Sequence, residues 1–305
     1  MGDLKLEGII VPIVTPLDKN EQVDRCGMER LIKYVLEGGV HGIFVMGSSG
    51  EFPAITDEER KRAIEIVVEE VNRKVPVLVG ISACSTKEAI RYGEEARKIG
   101  ADAIVATLPY YYKLDRDTEI VDHFQNIVDH SELPLLLYNI PSYTKSYLDI
   151  PVIKRLSRHS KFIGMKDGSG DFTFFHKLIR CFRDSRDFVI FQGDERLLLV
   201  SFLAGAKGGV LGLANVAPRL CVNLYKASRN HNWQTGTEYQ KKLLSLCEFY
   251  LLDGHCMVAI KKALSLLGIC DEKMTKPFQP LSEENALWIE RKLKKLDLLT
   301  SCNDL

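Results

Sequence analysis

A chain of 305 residues, 46% hydrophobic and 27% charged, can bury a large core as one big α/β domain or two ordinary ones. Lys plus Arg and Asp plus Glu both number 41, so the formal net charge is zero. Bulk electrostatic attraction to nucleic acid or anionic lipid is thereby disfavoured, and the composition is that of a soluble globular protein.

In chain order, the opening MGDLKLEGII has no basic region followed by an apolar stretch and a small-residue cleavage site. The longest apolar run, residues 197–206, is too short to span a bilayer. A cytoplasmic protein without a membrane segment is expected. The eight cysteines (26, 84, 181, 221, 247, 256, 270, 302) form no C-x-x-C pair, and a chain of this size needs no disulfide staples. They are expected to be buried free thiols.

Short apolar runs bounded by Gly or Pro then recur: GIIVPIV, HGIFVMG, VPVLVGI, DAIVATLP, LPLLLYNIP, KFIGMK, DFVIFQG and KGGVLGL. Helical patterns lie between them, such as residues 57–72 with Ile64, Val67, Val68 and Val71 along one face. Continuous apolar strands alternating with helices argue for a parallel sheet covered on its outer face, and eight such units match a closed (β/α)8 TIM barrel. A doubly wound open sheet is the runner-up. It is disfavoured because no G-x-G-x-x-G follows the first strand and no G-x-x-x-x-G-K-[ST] occurs anywhere. Segments 235–251, 255–267 and 282–298 read as extra helices, so the chain divides into a barrel over residues 1–230 and a C-terminal helical extension over 231–305.

In a (β/α)8 barrel the carboxyl ends of all strands open onto one face, so residues distant in sequence converge there. The unusual residues of this chain sit at those ends. Ser48 and Ser49 follow strand two in GSSGE, Tyr110 to Tyr112 follow strand four, and Tyr138 ends strand five. Lys166 directly follows the buried run Phe162, Ile163, Met165, and GDE follows strand seven.

An unperturbed lysine is neutral in only roughly one molecule in 2,500 at pH 7, and burial lowers its pKa by up to several units. A neutral amine in a pocket attacks a ketone to give a Schiff base, whose cationic nitrogen lets a neighbouring C–C bond form or break. Such chemistry moves protons repeatedly, and Tyr138 offers a phenol to relay them. The structural alternatives are a salt bridge from Lys166 to Asp167, or a snorkelling side chain at the rim, and for Tyr138 a satisfied core aromatic.

GSSGE offers two hydroxyls and close backbone amides suited to a carboxylate, or else is a plain Gly-Ser turn. It is no nucleophile elbow, because G-x-S-x-G fails at both serines. No metal is expected, since the seven histidines never fall at ligand spacing with one another.

GSSGEFPAIT, PYYYK, YNIPSYT, GMKDGSGD and GGVLGLANVAP, in this order and spacing, resemble the dihydrodipicolinate synthase and N-acetylneuraminate lyase family from about Gly8 to Leu298. The resemblance implies a homotetrameric class I lyase or synthase on a (β/α)8 barrel with a helical extension, acting on pyruvate or a 2-keto acid without metal or cofactor. It makes Lys166 the imine-forming lysine and Tyr138 the proton relay. Ser48 and Ser49 match the hydroxyls that hold the keto-acid carboxylate, with Ser49 also linked to the relay. Tyr111 matches a tyrosine lent across a subunit interface, and Gly193 and Val210 match positions lining the pyruvate end.

Departures from the family pattern bear on the substrate. Synthases that condense aspartate semialdehyde carry an arginine two residues beyond the proline of Y-N-x-P, where this chain has Tyr143, and Lys145 replaces the usual glycine two places later. Tyrosine supplies no bidentate charged fork, although Lys145 offers a nearby cation. Sialic acid lyases carry a serine where this chain has Gly212, and an aromatic between the glycine and the D-E pair, whereas Gly193 runs straight into Asp194 and Glu195. Asp194 and Glu195 are candidates for binding substrate hydroxyls or, equally, for capping the next helix.

The first expectation is therefore an aldolase that cleaves a 2-keto-3-deoxy sugar acid to pyruvate and an aldehyde. The alternatives are a dihydrodipicolinate (4-hydroxy-tetrahydrodipicolinate) synthase, an N-acetylneuraminate lyase, or a keto-acid-binding barrel without turnover. Against the last, binding alone requires neither an imine lysine nor a proton relay.

Overall fold

The computed structural model describes residues 4–185, 187–253 and 255–299. Strands β1 (Gly8–Pro12), β2 (Gly42–Val45), β3 (Val77–Gly80), β4 (Ala103–Thr107), β5 (Leu135–Asn139), β6 (Phe162–Asp167), β7 (Val189–Gln192) and β8 (Gly208–Val210) pair in parallel. They follow one another in sequence order, and β8 returns to β1 to close the barrel. Seven lie inside the eight apolar runs of the sequence, and β6 extends one residue beyond its run, to Asp167.

Around the strands run α1 (Arg25–Glu37), α2 (Asp57–Val71), α3 (Thr86–Ile99), α4 (Asp117–Asp129), the short α5 (Pro141–Thr144), α6 (Ile150–Leu156), α7 (Phe172–Phe182), α8 (Leu198–Ala204) and α9 (Pro218–Arg229). Local sequence sets their ends. Thr56 accepts the Glu59 amide at the start of α2, three acidic residues fill its first turn, and Asn72 closes it in the left-handed conformation. The extension holds α10 (Trp233–Cys247), α11 (Cys256–Leu266) and α12 (Glu283–Lys295). The helix expected over 235–251 is thus divided, since residues 248–251 tighten into a 3-10 turn.

Two apolar cores result from the alternation of side chains along each strand. Ile10, Phe44, Leu78, Val105, Leu136, Tyr138, Phe191 and Val210 fill the barrel interior. Leu135, Leu137 and Met165 face the other way, into the larger layer between sheet and helices.

One irregularity decides which residues face inward on β6. Leu135 is paired with Phe162, but Leu136 is paired with Gly164, so Ile163 is an extra residue on β6. The shift places Lys166 opposite Tyr138 and Asp167 opposite Asn139. Without it Met165 would stand across from Tyr138, and the lysine would turn to the outer face. Lys166 is also the penultimate residue of β6 rather than the residue following the strand, as the sequence suggested.

The extension is tied to the barrel by a charge pair inside the protein. Lys261 of α11 lies 2.5 Å from the Glu51 carboxylate, and both side chains are fully buried. Lys261 also donates to the Lys273 carbonyl, while the Thr275 amide and hydroxyl both donate to Glu51. Glu51 has a left-handed backbone, φ 58°, and directly follows the Ser48–Gly50 turn.

The expectation of uniformly buried cysteines fails. Cys221, Cys247 and Cys270 are buried and Cys256 is half-buried, but Cys26, Cys84 and Cys181 are exposed on helices or loops outside the cores. Cys302 lies outside the described residues. Among the described residues no single helix is long and apolar enough to cross a membrane.

Candidate active site

Lys166 reaches into the carboxyl-terminal end of the barrel with only 5% of its surface exposed. Its Nζ lies 4.1 Å from the centre of the Tyr138 ring and 5.7 Å from that of Phe44. Among the described residues it has no salt-bridge partner within 4 Å. Burial lowers its pKa to about 7, and the Glu195 carboxylate opposes the shift only in part. At pH 7 roughly half of the molecules then carry a neutral amine.

The salt bridge offered as the alternative for Lys166 does not form. The Asp167 carboxylate accepts from Asn139 Nδ2 at 2.8 Å and from the Ser169 hydroxyl at 2.9 Å. Burial raises its pKa to about 6 against these two donors. Asn139 in turn accepts the Leu148 amide, so the polar network next to Lys166 is closed on itself.

Tyr138 is buried in the barrel interior, edge-on to Phe44. Burial pushes its phenol well up, with the Ser48 hydroxyl acting in the opposite direction. The phenol therefore stays protonated at neutral pH, as a proton donor must. Ser48 and Ser49 lie on the 3-10 turn after β2, which is closed by Glu51, the partner of Lys261.

Gly193 keeps room for the lysine, whereas Gly212 lies at ordinary contact distance from its neighbours. A Cβ on Gly193 would stand 3.1 Å from Lys166 Cε and 2.8 Å from the Asp167 carbonyl, so only glycine leaves the lysine its path. A Cβ on Gly212 would stand 3.4 Å from the Tyr250 hydroxyl and 3.6 Å from Ser49 Oγ. Val210 is buried in the same interior core as Tyr138.

Of the acidic pair after β7, Asp194 acts as the cap that was its alternative reading. It accepts the Arg196 amide at 2.9 Å and grips the Arg196 guanidinium at 2.9 and 2.7 Å. Glu195 is buried and accepts the Leu213 amide at 3.0 Å. Burial raises its pKa, and the Leu213 amide and Tyr250 hydroxyl favour its anionic form.

Tyr143, on α5, is partly exposed, and its hydroxyl lies 2.6 Å from His255 Nε2. Lys145 donates to the Ser142 carbonyl and so caps its own short helix. Tyr111 stands apart from this cluster, 77% exposed and edge-on to Tyr112. Among the described residues, no three His, Cys, Asp or Glu side chains are grouped to hold a metal ion.

Sequence reasoning passed over Tyr250 and His255. Both come from the extension, and no motif marks them in FYLLDGHC. Their signal is position alone, at the approach to α11.

The arrangement offers chemistry of one kind. A buried amine of lowered pKa faces a protonated phenol, a pair of hydroxyls lies on a neighbouring turn, and Gly193 leaves the lysine its path. Such a set suits reversible imine formation with a small keto acid.

Comparison with known proteins agrees with this geometry. Residues 5–296 match the Dihydrodipicolinate synthetase family. A 4-hydroxy-tetrahydrodipicolinate synthase of Methanopyrus kandleri is 33% identical over 97% of this chain and 98% of its own length. An uncharacterized DapA-like lyase of Halobacterium salinarum is 32% identical over 98% and 97%. Among solved structures, YagE of E. coli K12, a prophage protein of the dihydrodipicolinic acid synthase family in complex with pyruvate, superposes with a TM-score of 0.92 at 31% identity. That superposition covers 96% of this chain and 99% of YagE. Dihydrodipicolinate synthase of Bacteroides thetaiotaomicron gives a TM-score of 0.91 at 33% identity, with the same coverage of both chains. With a match over nearly its whole length, the chain belongs to the Dihydrodipicolinate synthetase family and is an enzyme, a pyruvate-dependent carbon–carbon lyase of the class I aldolase type.

Proposed function

We propose that the protein joins pyruvate to an aldehyde, or releases it from one, through a Schiff base on Lys166. The observation that carries this reading is the buried Lys166 amine, of lowered pKa, opposite Tyr138 on the neighbouring strand. The neutral amine adds to the ketone carbon of pyruvate, and the carbinolamine loses its oxygen as water, leaving a cationic imine. Loss of a methyl proton gives an enamine, which attacks the aldehyde carbonyl; the reverse sequence cleaves the bond. Tyr138 supplies and recovers the protons, and Ser48 and Ser49 hold the carboxylate. Gly193 and Val210 line the pyruvate end.

For the aldehyde, the relatives' names support aspartate semialdehyde, the synthase alternative, above the sugar-acid aldolase placed first from the sequence. We therefore take condensation of pyruvate with aspartate semialdehyde as the leading reading. Cleavage of a 2-keto-3-deoxy sugar acid is the second, favoured by one observation: Tyr143, paired with His255, puts a hydroxyl where a synthase would need a cation, and Lys145 is turned back onto Ser142. Tyr111, exposed on the surface, fits a residue completed by a second copy of the chain in a homotetramer.

Measuring kcat/KM for condensation with aspartate semialdehyde and for cleavage of 2-keto-3-deoxygluconate, on one preparation, separates the two readings. The leading one expects condensation to be faster by at least about tenfold. Faster cleavage reverses the order.

A further inference from the structure

The Tyr143 phenol and the His255 imidazole join two parts of the molecule that are 112 residues apart. Tyr143 follows β5, the strand that carries Tyr138, and His255 caps the start of α11 in the extension. The rings stack at 5.9 Å with an interplanar angle of 23°, and Phe278 meets the imidazole edge-on at 5.6 Å. The histidine is therefore fixed in place by packing as well as by its hydrogen bonds.

Those bonds set its tautomer. His255 Nδ1 accepts the Met257 amide at 3.3 Å, as a helix cap does. A ring nitrogen that accepts carries no hydrogen, so the neutral imidazole holds its proton on Nε2. Burial also disfavours the doubly protonated ring. Nε2–H then donates to Tyr143 Oη, and the phenol's own hydrogen is left free to donate elsewhere. The Tyr143 phenol, its pKa pushed up by burial, keeps that hydrogen at neutral pH. Tyr143 is partly exposed and lies just past the carboxyl end of β5, on the face where Lys166 opens.

We propose that His255 is a specificity-determining residue for the aldehyde half of the reaction, acting by turning the Tyr143 hydroxyl into an oriented hydrogen-bond donor. The inference rests on the pyruvate-lyase reading above and adds to it the class of aldehyde the site prefers. That class carries an oxygen acceptor, a hydroxyl or a carboxylate, beyond its carbonyl, and aldehydes with a plain alkyl chain gain nothing from the pair. His255 acts through Tyr143 and touches no reacting atom.

The experiment compares two aldehydes in condensation with pyruvate: glyceraldehyde, which has such oxygens, and propionaldehyde, which has none. In His255→Leu the KM for glyceraldehyde should rise about fivefold to tenfold, the scale of one hydrogen bond, while the KM values for pyruvate and propionaldehyde stay within twofold. His255→Gln, whose side-chain amide can donate from near the same point, should recover most of the loss. Tyr143→Phe should match His255→Leu, and the double variant should be no worse than either alone. Tyr143→Phe also reads the same bond if His255→Leu does not fold. An unchanged glyceraldehyde-to-propionaldehyde ratio in the variants, with borohydride still trapping pyruvate on Lys166, overturns this inference alone. Absence of trapping in the unaltered protein overturns the lyase reading and this inference with it.

Discussion

Lys166 stands directly across the β5–β6 ladder from Tyr138, and its Nζ lies 4.1 Å from the centre of that ring. The pairing depends on the extra residue Ile163 in β6, which brings lysine and tyrosine to the same inner face. The strand ladder thus fixes the backbone positions from which the nucleophile and the proton carrier project.

Tyr138→Phe keeps the ring and its packing in the barrel interior but removes the hydroxyl. Turnover is expected to fall by about 10² to 10⁴, the range for losing a positioned acid–base group. Thermal unfolding should change little, since the aromatic volume is conserved. Steady-state rates together with a melting curve check both halves. Undiminished turnover contradicts the relay.

Lys166 takes up its proton near pH 10.5 in the unfolded chain and near pH 7 in the folded one. Between those values the unfolded state binds more protons, so this group's contribution to stability rises with pH across that window, and its cost is full below about pH 7. Lys166→Met removes the titrating group, and should raise Tm at pH 6 while abolishing activity. The difference in Tm should shrink towards pH 10. In the unaltered protein, the rate of imine formation should rise with pH through about 7 and level off above it. Thermal scans and stopped-flow rates over pH 5 to 10 test both expectations.

The buried Glu51 and Lys261 pair makes the extension part of the barrel's stability. Lys261→Ala leaves the Glu51 carboxylate without its cation inside the protein, at an expected cost of about 3–5 kcal/mol. Chemical denaturation measures this. A loss below about 1 kcal/mol contradicts a structural role for the pair. Because Glu51 directly follows the Ser48–Gly50 turn, the KM for pyruvate is expected to rise in any variant that still folds.

The barrel was legible in the sequence because strands of a parallel barrel are buried on both faces, so each reads as a continuous apolar run. Lys166 was legible for the same reason, as the one charge that closes such a run at its carboxyl end. The step in register was not, although Gly164 inside the β6 run was its trace: a Cβ there would stand 2.2 Å from the Val189 carbonyl. His255 and Tyr250 left no trace, since contacts between the extension and the barrel mouth join residues far apart and impose no periodicity. Asp194 could be read as a substrate ligand or a cap with equal force, and in the structure it accepts the Arg196 amide as a cap does while also pairing with the Arg196 guanidinium. The substrate preference drawn from Tyr143 considered that residue alone, without the His255 partner that sets what its hydroxyl can do.

Trapping the imine tests the central claim most directly. Borohydride added with pyruvate should reduce a Schiff base to a stable secondary amine, and mass spectrometry should find the added mass on the peptide containing GMKDGSGD, at Lys166, with activity lost in proportion. Lys166→Met should take up no label. Label on a different lysine, or undiminished activity with no label after treatment, would contradict the assignment of Lys166 as the nucleophile.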